Sequence, residues 1–272
     1  MAKRPWRPVE RKTSWRRLAL ATWRAPDDPT VYGTIDVDMT NALALVERLR
    51  SEQGVHVTVT HLVARALALG IAAEPTGNGL VIGRRVYQRD SVDIFLQVAS
   101  EDGQDLSGFK IRDADRVGVV EIARTVQERA ERVRKRADAD VERSKASLDR
   151  IPERLLAPAM KLVSWLLYER GLDLSRFGVA FDQFGSAMVT SIGSIDAGLG
   201  MALAPIVPFS HVPIIVLVNA LQRRPVVVGD EIAIRPVITL GCTFDHRFID
   251  GVVGARIARV LRDELASAER LA

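Results

Sequence analysis

The sequence is poor in most of what marks a site on its own. Among 272 residues there is one cysteine, Cys242, so an internal disulfide framework and a Cys-only zinc site are excluded. So few thiols fit a reducing compartment, and a cytoplasmic location is expected. GxGxxG, Walker A, GxSxG and HExxH patterns are all absent, and with them the chemistries those spacings serve. There are only four histidines, His56, His61, His211 and His246. His56 and His61 are five apart and would not share a helix face. They read as surface or capping residues, and no metal is expected. The most apolar stretch, 155–168, has 14 residues with Pro158 and Lys161 inside it, too short for a bilayer that needs about 20. It reads as a buried, interfacial or partner-binding helix, with membrane contact the weakest of these.

What is present is an ordinary globular composition, 47% hydrophobic and 26% charged, over a length that can bury a sizeable core. The net charge of +4 is unevenly spread. Residues 1–24 carry eight basic side chains and one acid, Glu10, while the remaining 248 residues are net −3. A basic head on a mildly acidic body argues against a nucleic-acid partner for the fold as a whole. Residues 1–13 are expected to be a basic arm and 14–272 one domain.

Hydrophobic periodicity outlines the elements. A helix is expected at Ser14–Arg24, and a strand at Tyr32–Met39 with Ile35, Val37 and Met39 on one face. Thr40 or Asn41 should cap a helix that ends at Gly54, and Thr60 the apolar helix that stops before Pro75. Residues 80–87 and 92–99 read as strands and 116–150 as a long helix. After Ala187 four strand-like runs follow, AMVTSI, PIIVLVNAL, PVVVGDEIAI and PVITLGCTF, with a turn at Gly229-Asp230. A last helix is expected from Val252 to Leu271, with Val253, Ile257, Val260, Leu261 and Leu265 on its apolar stripe. Helices and strands interleave without strict alternation, so the fold class expected is α+β with a mixed sheet.

One segment carries chemistry. Asp245-His246-Arg247-Phe248-Ile249-Asp250-Gly251 follows an apolar strand and precedes the last helix. A histidine at a strand end can face a cleft while its backbone is held, and imidazole is suited to take a proton near neutral pH. Asp250, followed by a glycine, can fix the loop through backbone N–H groups or an arginine.

This segment and its surroundings resemble the catalytic domain of dihydrolipoamide acyltransferase (E2) components of 2-oxoacid dehydrogenase complexes, a family that shares its fold with chloramphenicol acetyltransferase. The resemblance extends through the hairpin Arg224–Pro236, the strand Val189-Thr190-Ser191-Ile192-Gly193, Pro75-Thr76-Gly77-Asn78 and YGTIDVDM at 32–39. It implies a chloramphenicol acetyltransferase-like fold, a homotrimer, and coenzyme A or acyl-CoA as substrate without a metal. By the same resemblance His246 is the general base, and Ser191 or Thr190 donates a hydrogen bond to the oxyanion. Asp250 and Gly251 shape the loop, with Arg16 or Arg17 set against Asp250. His246 of one subunit is expected to meet Ser191 of its neighbour.

The chain also departs from the pattern. It shows no lipoyl domain, so no covalently bound lipoyl group is expected, and a separate lipoyl-bearing protein or another acyl acceptor would take that place. Gly103–Ile111 and Pro205–Pro213 differ from the family's channel-lining text. A helical insertion is expected at about 140–175. Two functions follow: an acyltransferase moving acyl groups between CoA and a thiol, hydroxyl or amine, or a catalytically inactive trimeric scaffold that binds a partner.

Overall fold

The computed structural model of the chain describes residues 28–83, 85–99, 106–134, 151–177, 179, 181–193, 201–207 and 209–272. The basic arm, the helix expected at Ser14–Arg24, Arg16, Arg17 and the end of the expected 116–150 helix lie outside them.

A six-stranded sheet runs in the order β1-β8-β7-β6-β4-β5. The strands are β1 (Thr30–Asp38), β4 (Ile94–Ala99), β5 (Leu106–Ile111), β6 (Ala187–Ser191), β7 (Ile214–Val228) and β8 (Glu231–Asp245). β6 lies parallel to both β4 and β7, and the other pairs are antiparallel. Helices α1 (Thr40–Gln53), α2 (Val59–Ala73), α3 (Val119–Arg134) and α5 (Gly251–Ser267) flank it. The α+β reading with a mixed sheet holds.

Alternation gives the sheet two different faces. Ile94, Leu96, Val189, Val216 and Cys242 belong to the main core with the helices. Their strand neighbours Phe95, Met188 and Ile215 form a smaller cluster with Val212 on the second face, packed with Phe184, Ala204 and Ile206. Residues 201–207 cross this second face. Thr243 Oγ1 donates to the Ala204 carbonyl at 2.7 Å, and the buried Asn219 amide accepts from Ala202 N at 2.8 Å.

α5 is held tightly from within. Ile257, Leu261 and Leu265 are buried along one stripe, as expected. A Cβ on Gly70 of α2 would stand 2.9 Å from the Ile257 carbonyl oxygen, so glycine sets how closely α2 and α5 pack.

Several expectations need correction, each for a local reason. α1 takes no cap from Thr40 or Asn41: Met39 is its N-cap, and the Asp38 carboxylate accepts from Thr40 N at 2.9 Å. α2 starts earlier, at a capping box in which Thr58 and His61 bond reciprocally, so Thr60 lies inside the helix. Burial in that box lowers the His61 pKa to about 4, with the His56 and Arg50 charges acting in the same direction. Residues 80–87 are not one strand but a hairpin, β2 (Gly79–Ile82) and β3 (Arg85–Gln88), because Gly83 at φ 51° turns the chain. The last three strand-like runs are two strands of 15 residues each. Pro225 lies in the part of the ribbon that pairs with no third strand, and Pro236 sits where the pairing of β8 with β1 ends, its carbonyl still accepting from Met39 N, so neither interrupts the strands.

Between α3 and β6 the described chain forms α4 (Glu153–Ser164), which runs into a π-helical turn at Trp165–Glu169. Leu167 and Tyr168 of that turn are buried with Leu80. Gly171, at φ 64°, follows as the expected stop.

Candidate active site

The end of β8 is clamped before it delivers its histidine. Asp245 N donates to the Pro213 carbonyl at 2.9 Å, and the buried Asp245 carboxylate accepts from Arg247 N at 3.0 Å and from Arg247 Nε at 2.9 Å. The hydrogen bond to Asp245 holds the Arg247 guanidinium above its usual pKa, assisted by the charges of Asp245 and Glu169. His246, between them, donates its backbone N–H to the Pro29 carbonyl at 2.7 Å. Its ring Nδ1 lies 2.8 Å from the Ile249 carbonyl. A carbonyl only accepts, so Nδ1 carries a proton, and in the neutral ring the lone pair is on Nε2. Ile249 is buried, which fixes the carbonyl that orients the ring. His246 itself is exposed. An oriented imidazole with an accessible basic nitrogen is the arrangement a general base needs.

Asp250 is the N-cap of α5, and its carboxylate accepts from Val252 N and Val253 N at 2.9 Å each. Of the two partners expected for Asp250, the described residues show the backbone one. Gly251 opens the helix, and a Cβ there would meet nothing within 4 Å. Among the described residues nothing requires glycine at that position.

Thr190 and Ser191 stand at the far end of β6. Ser191 lies opposite Val218, which lies opposite Leu240, six residues before His246. At about 3.4 Å per residue this places His246 roughly 20 Å along the strands from Ser191. The two expected halves of the site are therefore not brought together within one chain. The two hydroxyls also differ. Ser191 pairs with Val218 of the main core, and its Oγ accepts from Gly193 N at 3.2 Å. Thr190 alternates onto the second face with Met188, the face on which Thr243 bonds Ala204 and, two residues on, Asp245 also lies.

Sequence reasoning missed the neighbour of this turn. His211, at φ 51°, lies two residues before Pro213. Its ring stacks on Tyr168 with centroids 3.6 Å apart, and its Nε2 is 2.7 Å from Ser164 Oγ. Burial lowers its pKa to about 4, with the Arg247 charge acting the same way and Asp245 opposing. A histidine on its own gave no signal of this contact, because its partners lie about 45 residues upstream in a segment with no motif. A cleft of about 270 Å³ between β5 and α3 is lined by Lys110, Arg112, Glu121 and Arg129 and contains none of the motif residues. Among the described residues no group of three or more His, Cys, Asp or Glu could hold a metal ion, and no helix is long and apolar enough to cross a membrane.

The family model for 2-oxoacid dehydrogenases acyltransferase (catalytic domain) matches residues 8–147 and 182–272. The intervening 148–181, which hold α4 and the π turn, are unmatched. The chain is 25% identical over 285 residues to the succinyltransferase component of an Arabidopsis thaliana 2-oxoglutarate dehydrogenase complex, covering 99% of this chain and 51% of that protein. It is 23% identical over 238 residues to the acetyltransferase component of the Bacillus subtilis acetoin cleaving system, covering 85% of this chain and 48% of that one. It thus spans about half the length of these curated relatives. Among solved structures, Azotobacter vinelandii dihydrolipoamide acetyltransferase superposes with a TM-score of 0.66 at 23% identity, over 90% of this chain and 84% of that one. A Listeria monocytogenes probable dihydrolipoamide acetyltransferase superposes with a TM-score of 0.65 at 19% identity, over 100% and 99% of the two chains.

Proposed function

Since the chain belongs to the 2-oxoacid dehydrogenase acyltransferase (catalytic domain) family, we propose that it moves an acyl group between coenzyme A and a thiol, hydroxyl or amine acceptor, with His246 as the general base. The observation that carries the proposal is the bond from His246 Nδ1 to the buried Ile249 carbonyl. In the neutral ring it leaves the lone pair on Nε2, in a residue exposed at a clamped strand end.

In this mechanism Nε2 takes the proton from the acceptor's S–H, O–H or N–H as that atom attacks the thioester carbonyl carbon. The carbonyl oxygen becomes an oxyanion and receives a hydrogen bond from a strand hydroxyl, Thr190 or Ser191. Collapse breaks the C–S bond, and the CoA thiolate leaves with the proton returned from His246. The separation of about 20 Å within one chain supports a site completed by a neighbouring copy, as in a homotrimer. The acceptor is a small acyl carrier of the dihydrolipoyl type or a simpler nucleophile.

The test is acyl-CoA turnover by wild type and His246→Ala. Loss of a general base lowers the rate by roughly 10²–10⁴-fold, and equal rates would refute the proposal. The inactive trimeric scaffold is the second reading. One observation favours it: Leu155, Leu162, Trp165 and Leu172 stay 46–56% exposed, offering a stripe to a partner. Saturable binding of CoA at micromolar concentration would count against the scaffold.

A further inference from the structure

The segment that the family model leaves unmatched is docked against His211, in the loop that receives the end of β8. Its contact is made by the π-helical turn Trp165–Glu169, in which Arg170 N bonds back to the Trp165 carbonyl at 3.1 Å. Single π turns within helices concentrate at functional positions. This one carries Tyr168 inward onto His211, while Ser164 bonds the same ring. Tyr168 is anchored independently: its carbonyl accepts from Gly83 N at 2.8 Å, and its ring stacks on Phe181 at 5.5 Å.

His211 in turn has a left-handed backbone, a conformation that non-glycine residues hold only where surrounding contacts impose it. Two residues later the Pro213 carbonyl receives Asp245 N, and Asp245 clamps Arg247 through both backbone and side chain. On the other side Glu169, next to Tyr168, acts electrostatically on Arg247. Asp245 is thus linked to the insertion through the His211–Pro213 loop, and Arg247 through its bonds to Asp245.

We propose that the insertion buttresses the catalytic turn, with Tyr168 a positioning residue that acts on His246 through His211. The proposal rests on the reading of His246 as the base. It predicts that loss of the Tyr168 ring loosens the turn, so that His246 Nδ1 no longer holds the Ile249 carbonyl.

The test compares Tyr168→Leu, Tyr168→Phe and Ser164→Ala in the full chain, by acyl-CoA kinetics and by ¹⁵N NMR of the His246 ring. Small misplacement of a catalytic group costs up to about 10²-fold. Tyr168→Leu is expected to lower kcat about 10- to 100-fold with KM for acyl-CoA changed less than about twofold. The His246 ring should then populate both neutral tautomers, where wild type holds the Nδ1–H form. Tyr168→Phe, which keeps the stack, should retain wild-type kcat and tautomer. Wild-type kcat together with an unchanged tautomer in Tyr168→Leu would overturn the proposal. If Tyr168→Leu does not fold, Ser164→Ala is read by the same criteria with a smaller expected loss. If His246→Ala turns over as fast as wild type, the base reading fails, and the tautomer measurement still decides whether the insertion buttresses the turn.

Discussion

Tyr168 and His211 stack with their ring centroids 3.6 Å apart and 17° between planes. One belongs to the segment that interrupts the family match and the other to the loop that receives the end of β8. The contact joins the segment that the family model leaves unmatched to a loop inside the matched region.

The same burial makes two histidines acid-sensitive. His61 and His211 both have pKa values lowered to about 4, mainly by desolvation. A depressed folded-state pKa means that the unfolded chain binds the proton more readily. The stability of the neutral forms is therefore fully present above about 6.5, the unfolded value, and is lost as pH falls toward 4. For the 6% exposed His61 the slope in that window reaches about 1.4 kcal/mol per pH unit. Thermal melting between pH 7 and pH 4.5 should show falling stability. His61→Gln should flatten the slope at some cost to the capping box.

Asp250 is expected to act mainly through its helix. Asp250→Ala removes the acceptor for Val252 N and Val253 N and should cost about 1 kcal/mol of stability. Asp250→Asn, whose amide oxygen still accepts, should stay near wild type in denaturant melts.

Gly70→Ala sets two effects against each other. Alanine gains about 1 kcal/mol of helix propensity over glycine, but its Cβ would stand 2.9 Å from the Ile257 carbonyl oxygen. Backbone cannot yield as a side-chain end does, so the substitution should destabilise the protein. A raised melting temperature would show that α2 and α5 can separate without cost.

Of the two strand hydroxyls, Thr190 shares the second face with Met188, while Ser191 lies opposite core Val218 and already accepts from Gly193 N. Thr190→Val is therefore expected to lower kcat by about 10²–10³-fold, the range for loss of an oxyanion donor. Ser191→Ala should cost much less. The ratio of the two kcat values checks the assignment.

Much of this was legible in the residues, for reasons that differ by element. The 3.6-residue stripe of Ile257, Leu261 and Leu265 and the alternation into Val37 and Met39 report burial directly, and both were readable. The motif at 245–251 marked the base and the capping aspartate because a short loop keeps its chemistry in sequence order. Caps were misplaced by a residue or two: α1 starts from Met39 with Asp38 accepting from Thr40 N, and for α2 Thr58 rather than Thr60 is the cap because His61 completes its box. The continuity of β7 and β8 through Pro225 and Pro236 depended on which strands lay alongside. The Tyr168–His211 stack pairs residues 43 apart with no local pattern, and only the folded chain joins them. His211 carried no reading of its own in the sequence, and the folded chain makes it the contact beside the turn.

The claim on which the rest depends is that His246 of one copy works against a strand hydroxyl of the next. Mixing His246→Ala with Thr190→Val protein, after dissociation and reassociation, tests it most directly by acyl-CoA turnover. Each variant alone should be nearly inactive. Mixed cyclic trimers contain one intact pair of residues each, so activity should return to about a quarter of wild type. A mixture no more active than the average of its parents would contradict the account.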